Sequence, residues 1–145
     1  MIGLLQRVSQ AHIEIKGELV ASIGQGLLVL IGVEREDDQR KAERMLERLL
    51  GYRVFADADG RMNVSLAQMG GGLLLVPQFT LVADTRKGTR PGFSRAASPR
   101  QGKQIFDYLL EYAEIRHSPV VGGIFGADMQ VALVNDGPVT FWLQI

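Results

Sequence analysis

The 145-residue chain contains no cysteine. That absence excludes disulfide staples, thiolate nucleophiles and thiolate metal sites, and it fits a reducing, cytoplasmic setting. Histidine is almost as scarce: His12 and His117 stand far apart, outside any metal-binding motif, so no metal and no cofactor is expected. No serine sits in a G-x-S-x-G elbow, and neither histidine belongs to a motif that would activate one. Charge of one sign is not in excess either. Lys plus Arg and Asp plus Glu both number 16, which argues against a protein that coats nucleic acid over its whole surface. Long apolar runs are missing too. The longest, Gly26 to Val33, falls far short of the ~18 residues that suggest a membrane span, and the first ten residues lack a basic, signal-like start. A soluble protein with no membrane partner is expected.

What is present reads as one domain, residues 1–145, of α/β class: a strand-dominated, barrel-like sheet core with two main helices. Residues 2–23 alternate in the manner of a hairpin around the turn Lys16-Gly17-Glu18, and the run from Gly26 reads as a strand buried on both faces. From Asp38 the period becomes helical, with Ala42, Met45, Leu46, Leu49 and Leu50 on one stripe and Gly51 where a C-terminal cap is expected. A short strand and a tight turn at Asp59-Gly60 follow. The glycines Gly70, Gly71 and Gly72 precede a strand rather than a helix, so they predict turns and not a phosphate loop. The second helix has Ser98 as N-cap, Pro99 at its first position and Gln101 completing a capping box; Ile105, Tyr108, Leu109 and Tyr112 form its buried stripe.

Two features go beyond a folded core. Between Asp84 and Asp107 the chain carries Arg86, Lys87, Arg90, Arg95, Arg100 and Lys103 without one acid, the local excess expected for a phosphate-bearing partner. Proline also interrupts two strand-like runs, in "VPQFTL" at Pro77 and in "NDGPVT" at Pro138. Such breaks free backbone groups from the ladder, and a bulge, a sheet edge or a ligand can satisfy them.

Along its whole length, through "GLLVLIGVE", "QFTL", "TRPGFS", "FGADM" and "NDGPVTFWL", the chain resembles the bacterial D-aminoacyl-tRNA deacylases, formerly D-tyrosyl-tRNA deacylases. The N-x-G-P-V-T signature stands intact from Asn135 to Thr140, whereas in the S-Q-x-T signature Pro77 occupies the usual serine position. The resemblance implies a metal-free homodimer that hydrolyses the ester between a D-amino acid and the terminal ribose of tRNA. It implies that Gln78, Phe79 and Thr80 form the catalytic segment and that Phe125 and Met129 line the adenosine pocket. A cis Gly137-Pro138 would be inserted from the neighbouring subunit for chiral selection. Arg86, Lys87, Arg90 and Arg95 become the expected tRNA phosphate contacts, and glycyl-tRNA, with no side chain to reject, an expected second substrate. Two other readings of the residues stay open: a threonine-nucleophile esterase using Thr80 and a non-catalytic tRNA-binding module using the basic segment.

Overall fold

The computed structural model describes all 145 residues. In chain order the elements are β1 (Ile2–Ile15), β2 (Glu18–Ile23), β3 (Gly26–Gly32), α1 (Gln39–Gly51), β4 (Arg53–Ala56), β5 (Met62–Ser65), α2 (Leu66–Met69), β6 (Gly72–Pro77), a 3-10 turn (Phe79–Val82), α3 (Pro99–Arg116), β7 (Val120–Gly122) and β8 (Gln130–Gln144). The long strand β1 is the spine. One of its edges pairs antiparallel with β8, and the other pairs first with β3 and then with β2. Parallel strands β6 and β7 extend the sheet beyond β3, while β4 and β5 form a separate ribbon.

Alternation along the parallel strands sends side chains into two cores. Leu27, Val29 and Ile31 of β3 and Leu73 and Leu75 of β6 join the larger core beneath α1 and α3, while Leu28, Leu74 and Val76 join a smaller one on the opposite face with Val8, Ala11, Ile13 and Ile23. Both faces are therefore buried, and the sheet curls into a nearly closed barrel. Each fully buried leucine contributes about 1.5 to 3 kcal/mol. Glycine is needed where the two parallel strands begin: a Cβ on Gly26 would overlap the carbonyl oxygen of Gly72. The glycine-rich starts of β3 and β6 thus serve close strand approach, in agreement with their reading as turns rather than phosphate cradles.

Helix α1 follows the sequence reading, since Asp38 Oδ1 accepts from the Lys41 amide at 2.9 Å and Ala42, Met45, Leu46 and Leu49 are buried. Gly51 is still helical, however, and the cap falls on Tyr52. In α3 the fully buried stripe is Gly102, Phe106, Leu109 and Ala113, with Ile105, Tyr108 and Tyr112 half-buried on its flank. Ser98 caps α3, but Gln101 does not complete the box. Its Nε2 instead donates to the carbonyls of Arg35 at 2.9 Å and Asp37 at 3.3 Å, tying the helix start to the chain after β3. A capping box does occur at Ser65 and Gln68, where it starts the short α2 that the sequence reading lacked.

Candidate functional site

Strand β6 ends at Pro77, the last residue in register with β3. Without an N–H, proline cannot prolong a ladder, and the chain bends into the 3-10 turn instead of resuming as the strand expected from "VPQFTL". The Gln78 amide closes the bend by donating to the Ile31 carbonyl at 2.7 Å. At the start of such a turn the first amides have no carbonyl behind them. The N–H groups of Phe79 and Thr80 donate to nothing within the chain. Both residues are exposed. Gln78 Nε2 donates to Thr80 Oγ1 at 2.5 Å, which fixes that hydroxyl beside the free amides and leaves its proton available to donate elsewhere.

Next to this turn lies an apolar cavity of about 260 Å³, lined by residues of β3 and β6, the start of α3 and the loop after β7, among them Val33, Pro77, Phe79, Pro99, Gly102 and Phe125. Gly102 explains how Phe125 reaches the wall. A Cβ at that position would lie 3.1 Å from the ring, so a glycine inside the helix lets the aromatic side chain lie against it. The expected partner Met129 does not line the cavity; it belongs to the edge of the smaller core, against Gly123. Val33, Pro99 and Gly102 were missed as wall residues. Only Gly102, a costly residue in a helix interior, carried a readable signal.

The basic segment is less free than its composition suggests. Backbone hydrogen bonds between Asp84 and Gly92, at 2.7 and 2.9 Å, close it into a loop, and Phe93 packs on Phe79 with ring centroids 5.3 Å apart. Arg86 grips Asp84 through Nε at 2.9 Å and Nη2 at 2.6 Å; these bonds hold the Asp84 carboxyl well below the usual carboxylate range and raise the guanidinium in turn. Arg95 pairs with Glu34 at 2.5 Å and Lys103 with Asp107 at 2.5 Å. Six cations in a stretch that holds no acid of its own thus become three in space: Lys87, Arg90 and Arg100 have no carboxylate partner. Lys87 and Arg90 share a polar surface depression with Arg86 and Ser94.

The second proline break is a bulge within continuous β8. Thr140 pairs with Gln6 and Asn135 with Val8, so residues 136–139 loop out opposite Arg7 alone. The Gly137-Pro138 bond is cis, and Gly137 has φ +139°. Asn135 braces the bulge from inside: its Oδ1 accepts from the Val139 amide at 2.7 Å and its Nδ2 donates to Thr140 Oγ1 at 2.8 Å. Arg7 braces it from below, with Nε donating to the Asp136 carbonyl at 2.9 Å and Nη1 to the Val54 carbonyl at 2.6 Å.

Register keeps the bulge away from the cavity of the same chain. Pro77 stands beside Ile31, which faces Gly3, whereas the bulge faces Arg7, which stands opposite Leu27. Four residues of strand separate these positions, roughly 13 Å at ~3.3 Å per residue, before any offset across the sheet. Within one chain, then, Gln78, Phe79, Thr80 and Phe125 come together, while Gly137 and Pro138 do not join them. No group of three or more His, Cys, Asp or Glu side chains is placed to hold a metal ion, and no helix is long and apolar enough to cross a membrane.

Comparison with known proteins adds a family. Residues 4–144 match the family model described as D-Tyr-tRNA(Tyr) deacylase. The chain is 61% identical over 145 residues to a D-aminoacyl-tRNA deacylase of Pseudomonas putida, covering all of both chains. It is 62% identical to one of Nitrosococcus oceani, covering all of this chain and 94% of that one. Among solved structures it is similar to a c-Myc DNA unwinding element binding protein, with a TM-score of 0.95, 36% identity and coverage of 100% and 99%. A probable eukaryotic D-amino acid tRNA deacylase shares the fold, with a TM-score of 0.86 at 18% identity and coverage of 99% and 98%.

Proposed function

The chain belongs to the D-Tyr-tRNA(Tyr) deacylase family and hydrolyses D-aminoacyl-tRNA as proofreading in translation, and we propose that it does so in the cytoplasm with its own backbone amides, in a dimer. One observation carries the mechanism: the free N–H groups of Phe79 and Thr80 stand at the edge of an apolar cavity of nucleobase size. The terminal adenine occupies the cavity against Phe125 and Pro99, which sets the ribose and its ester over the 3-10 turn. As water adds to the ester carbonyl, negative charge grows on the carbonyl oxygen, and the two amides stabilise it. The aminoacyl ester is already activated and has a vicinal ribose hydroxyl, so positioning and oxyanion stabilisation suffice without a strong protein base. Neither a metal ion nor a cofactor is needed.

Pro77, in the usual serine position, offers neither a hydroxyl nor an N–H, so the Thr80 hydroxyl held by Gln78 is the polar side-chain group left to orient the ester. Gly137 and Pro138 act on the neighbouring copy. Separated from their own cavity by the register of β1, they present a backbone wall to the partner's aminoacyl group. An L side chain collides with that wall, whereas a D side chain or none passes, so glycyl-tRNA is cleaved as well. Lys87, Arg90 and Arg100 neutralise phosphates of the acceptor end.

Matched D-tyrosyl-, L-tyrosyl- and glycyl-tRNA, each followed for loss of label, test this reading. D and glycyl esters should be cleaved and the L ester spared. A covalent acyl-Thr80 species trapped during turnover would instead favour a threonine-nucleophile esterase, and bound but uncleaved D-tyrosyl-tRNA a binding module.

A further inference from the structure

Arg95 stands in the basic segment, yet its surroundings differ from those of Lys87 and Arg90. Its Nη2 reaches Glu34 Oε1 at 2.5 Å, and the Glu34 side chain is only 13% exposed. The other Glu34 oxygen accepts from the Met1 ammonium at 3.0 Å, so this carboxylate is anchored before Arg95 arrives. Around the ion pair the backbone closes in steps. The Arg35 amide donates to the Arg95 carbonyl at 2.9 Å, Glu34 bridges Ala96, and the Ala97 amide donates to the Val33 carbonyl at 3.1 Å. Gln101 continues the seam one turn into α3. Val33 and Ala97, which close this seam, and Pro99, which follows it at the start of α3, are walls of the cavity, and Phe93, two residues before Arg95, packs on Phe79.

We propose that Glu34 and Arg95 are a pair of positioning residues: their ion pair locks the return limb of the basic segment onto the end of β3 and thereby sets the cavity wall. Arg95 acts on the nucleoside through this wall and not on phosphate. With its Arg95 end at the surface, the ion pair adds little to global stability, so its contribution shows in the placement of the limb more than in the folding equilibrium. The inference rests on the reading of the cavity as the adenosine site, and it assigns different work to cations that are neighbours in sequence.

A probe without phosphate separates the two kinds of cation. The amide analogue of D-tyrosyl-adenosine carries the nucleoside and amino acid but no phosphate, and its dissociation constant can be measured on the full chain by calorimetry. Glu34→Gln and Arg95→Gln should each weaken it by about three- to tenfold, and the double variant should be no weaker than either single one, because both remove the same pair. Lys87→Gln with Arg90→Gln should leave the analogue unaffected but flatten the salt dependence of kcat/KM on D-tyrosyl-tRNA, which Arg95→Gln should not do. If Arg95→Gln leaves the analogue's binding unchanged and flattens the salt dependence, the positioning role is wrong and Arg95 reads phosphate. Additive losses in the double variant would also overturn it. Failure of the unmodified protein to bind the analogue while it still cleaves D-tyrosyl-tRNA would remove the adenosine reading of the cavity itself, and the inference with it.

Discussion

Thr80 and Gly102 show how single residues serve the site in opposite ways. The Thr80 hydroxyl is held by Gln78, and its amide is free. Removing the hydroxyl while keeping the amide should lower kcat on D-tyrosyl-tRNA by roughly tenfold to a thousandfold, the range seen when one oxyanion donor is lost. Thr80→Ala in a folded variant with unchanged turnover would leave the backbone alone responsible; Thr80→Ser should keep most of the rate. Gly102 has no polar role. A methyl there must push on Phe125 at 3.1 and 3.3 Å, yet alanine suits a helix interior better than glycine by about 0.8 to 1 kcal/mol. Gly102→Ala should therefore bind the nucleoside analogue several-fold more weakly while melting no lower than the parent. A lower melting temperature with unaltered binding would show that the Phe125 contact supports the fold and not the pocket.

Elements that depend on periodicity were legible in the sequence, and those that depend on a partner strand were not. The β1–β2 hairpin, the doubly buried β3 and the stripe of α1 follow from spacing alone, and the structure keeps them. Pro77 was ambiguous because a proline that ends a strand and one that interrupts it look alike locally; the Ile31 carbonyl, 47 positions away from the Gln78 amide that it accepts, decides the matter. The cations of the basic segment were overcounted because the acids that pair with them lie outside it: Asp84 and Asp107 at its two ends, and Glu34, 61 positions from Arg95. For the site, "QFT" and "NDGPVT" were readable as motifs, while the walls that shape the cavity were not. The bulge of β8 gives the clearest element-scale test. Asn135 makes two hydrogen bonds inside it, each worth about 1 kcal/mol, so Asn135→Ala should loosen residues 136–139 without unfolding a strand that β1 pairs along both flanks. We expect kcat/KM for D-tyrosyl-tRNA to fall by roughly ten- to thirtyfold, at ~1.4 kcal/mol per tenfold. Rejection of the L ester should weaken in parallel. Loss of activity with the D-to-L ratio intact would remove the bulge from chiral selection.

For the whole molecule, pH and concentration act on different parts of the design. Burial tends to raise the Glu34 carboxyl, but hydrogen bonds and charge from the Met1 ammonium and Arg95 outweigh it and hold the value below the ordinary 4.5, with Lys41 and Asp37 close by in the same cluster. A carboxylate lowered in the folded state stabilises the protein above its unfolded value and loses that contribution as pH falls through the folded one. The drop in melting temperature between pH 6 and about pH 3 should hence be smaller in Glu34→Gln than in the parent. Equal drops would mean that the cluster does not couple to folding. Concentration tests the assembly. The bulge lies roughly 13 Å along the sheet from the cavity of its own chain, so on the proposed reading a solitary chain would keep the oxyanion amides and the adenosine pocket but lack a wall beside the ester. Such a chain should still fold, because both cores are complete within it. Its expected defect is therefore specific: as protein is diluted through the dimer dissociation constant, the ratio of D-tyrosyl- to L-tyrosyl-tRNA cleavage should collapse together with the dimer fraction seen by sedimentation. Glycyl-tRNA provides the internal control. With no side chain to clash, its rate relative to the D ester should not depend on the wall, so it should follow the D ester down the dilution series while the L ester gains on both. A monomer that remains fully D-selective would place the source of chirality within one chain and require another wall for the cavity that Phe79, Phe125 and Pro99 enclose.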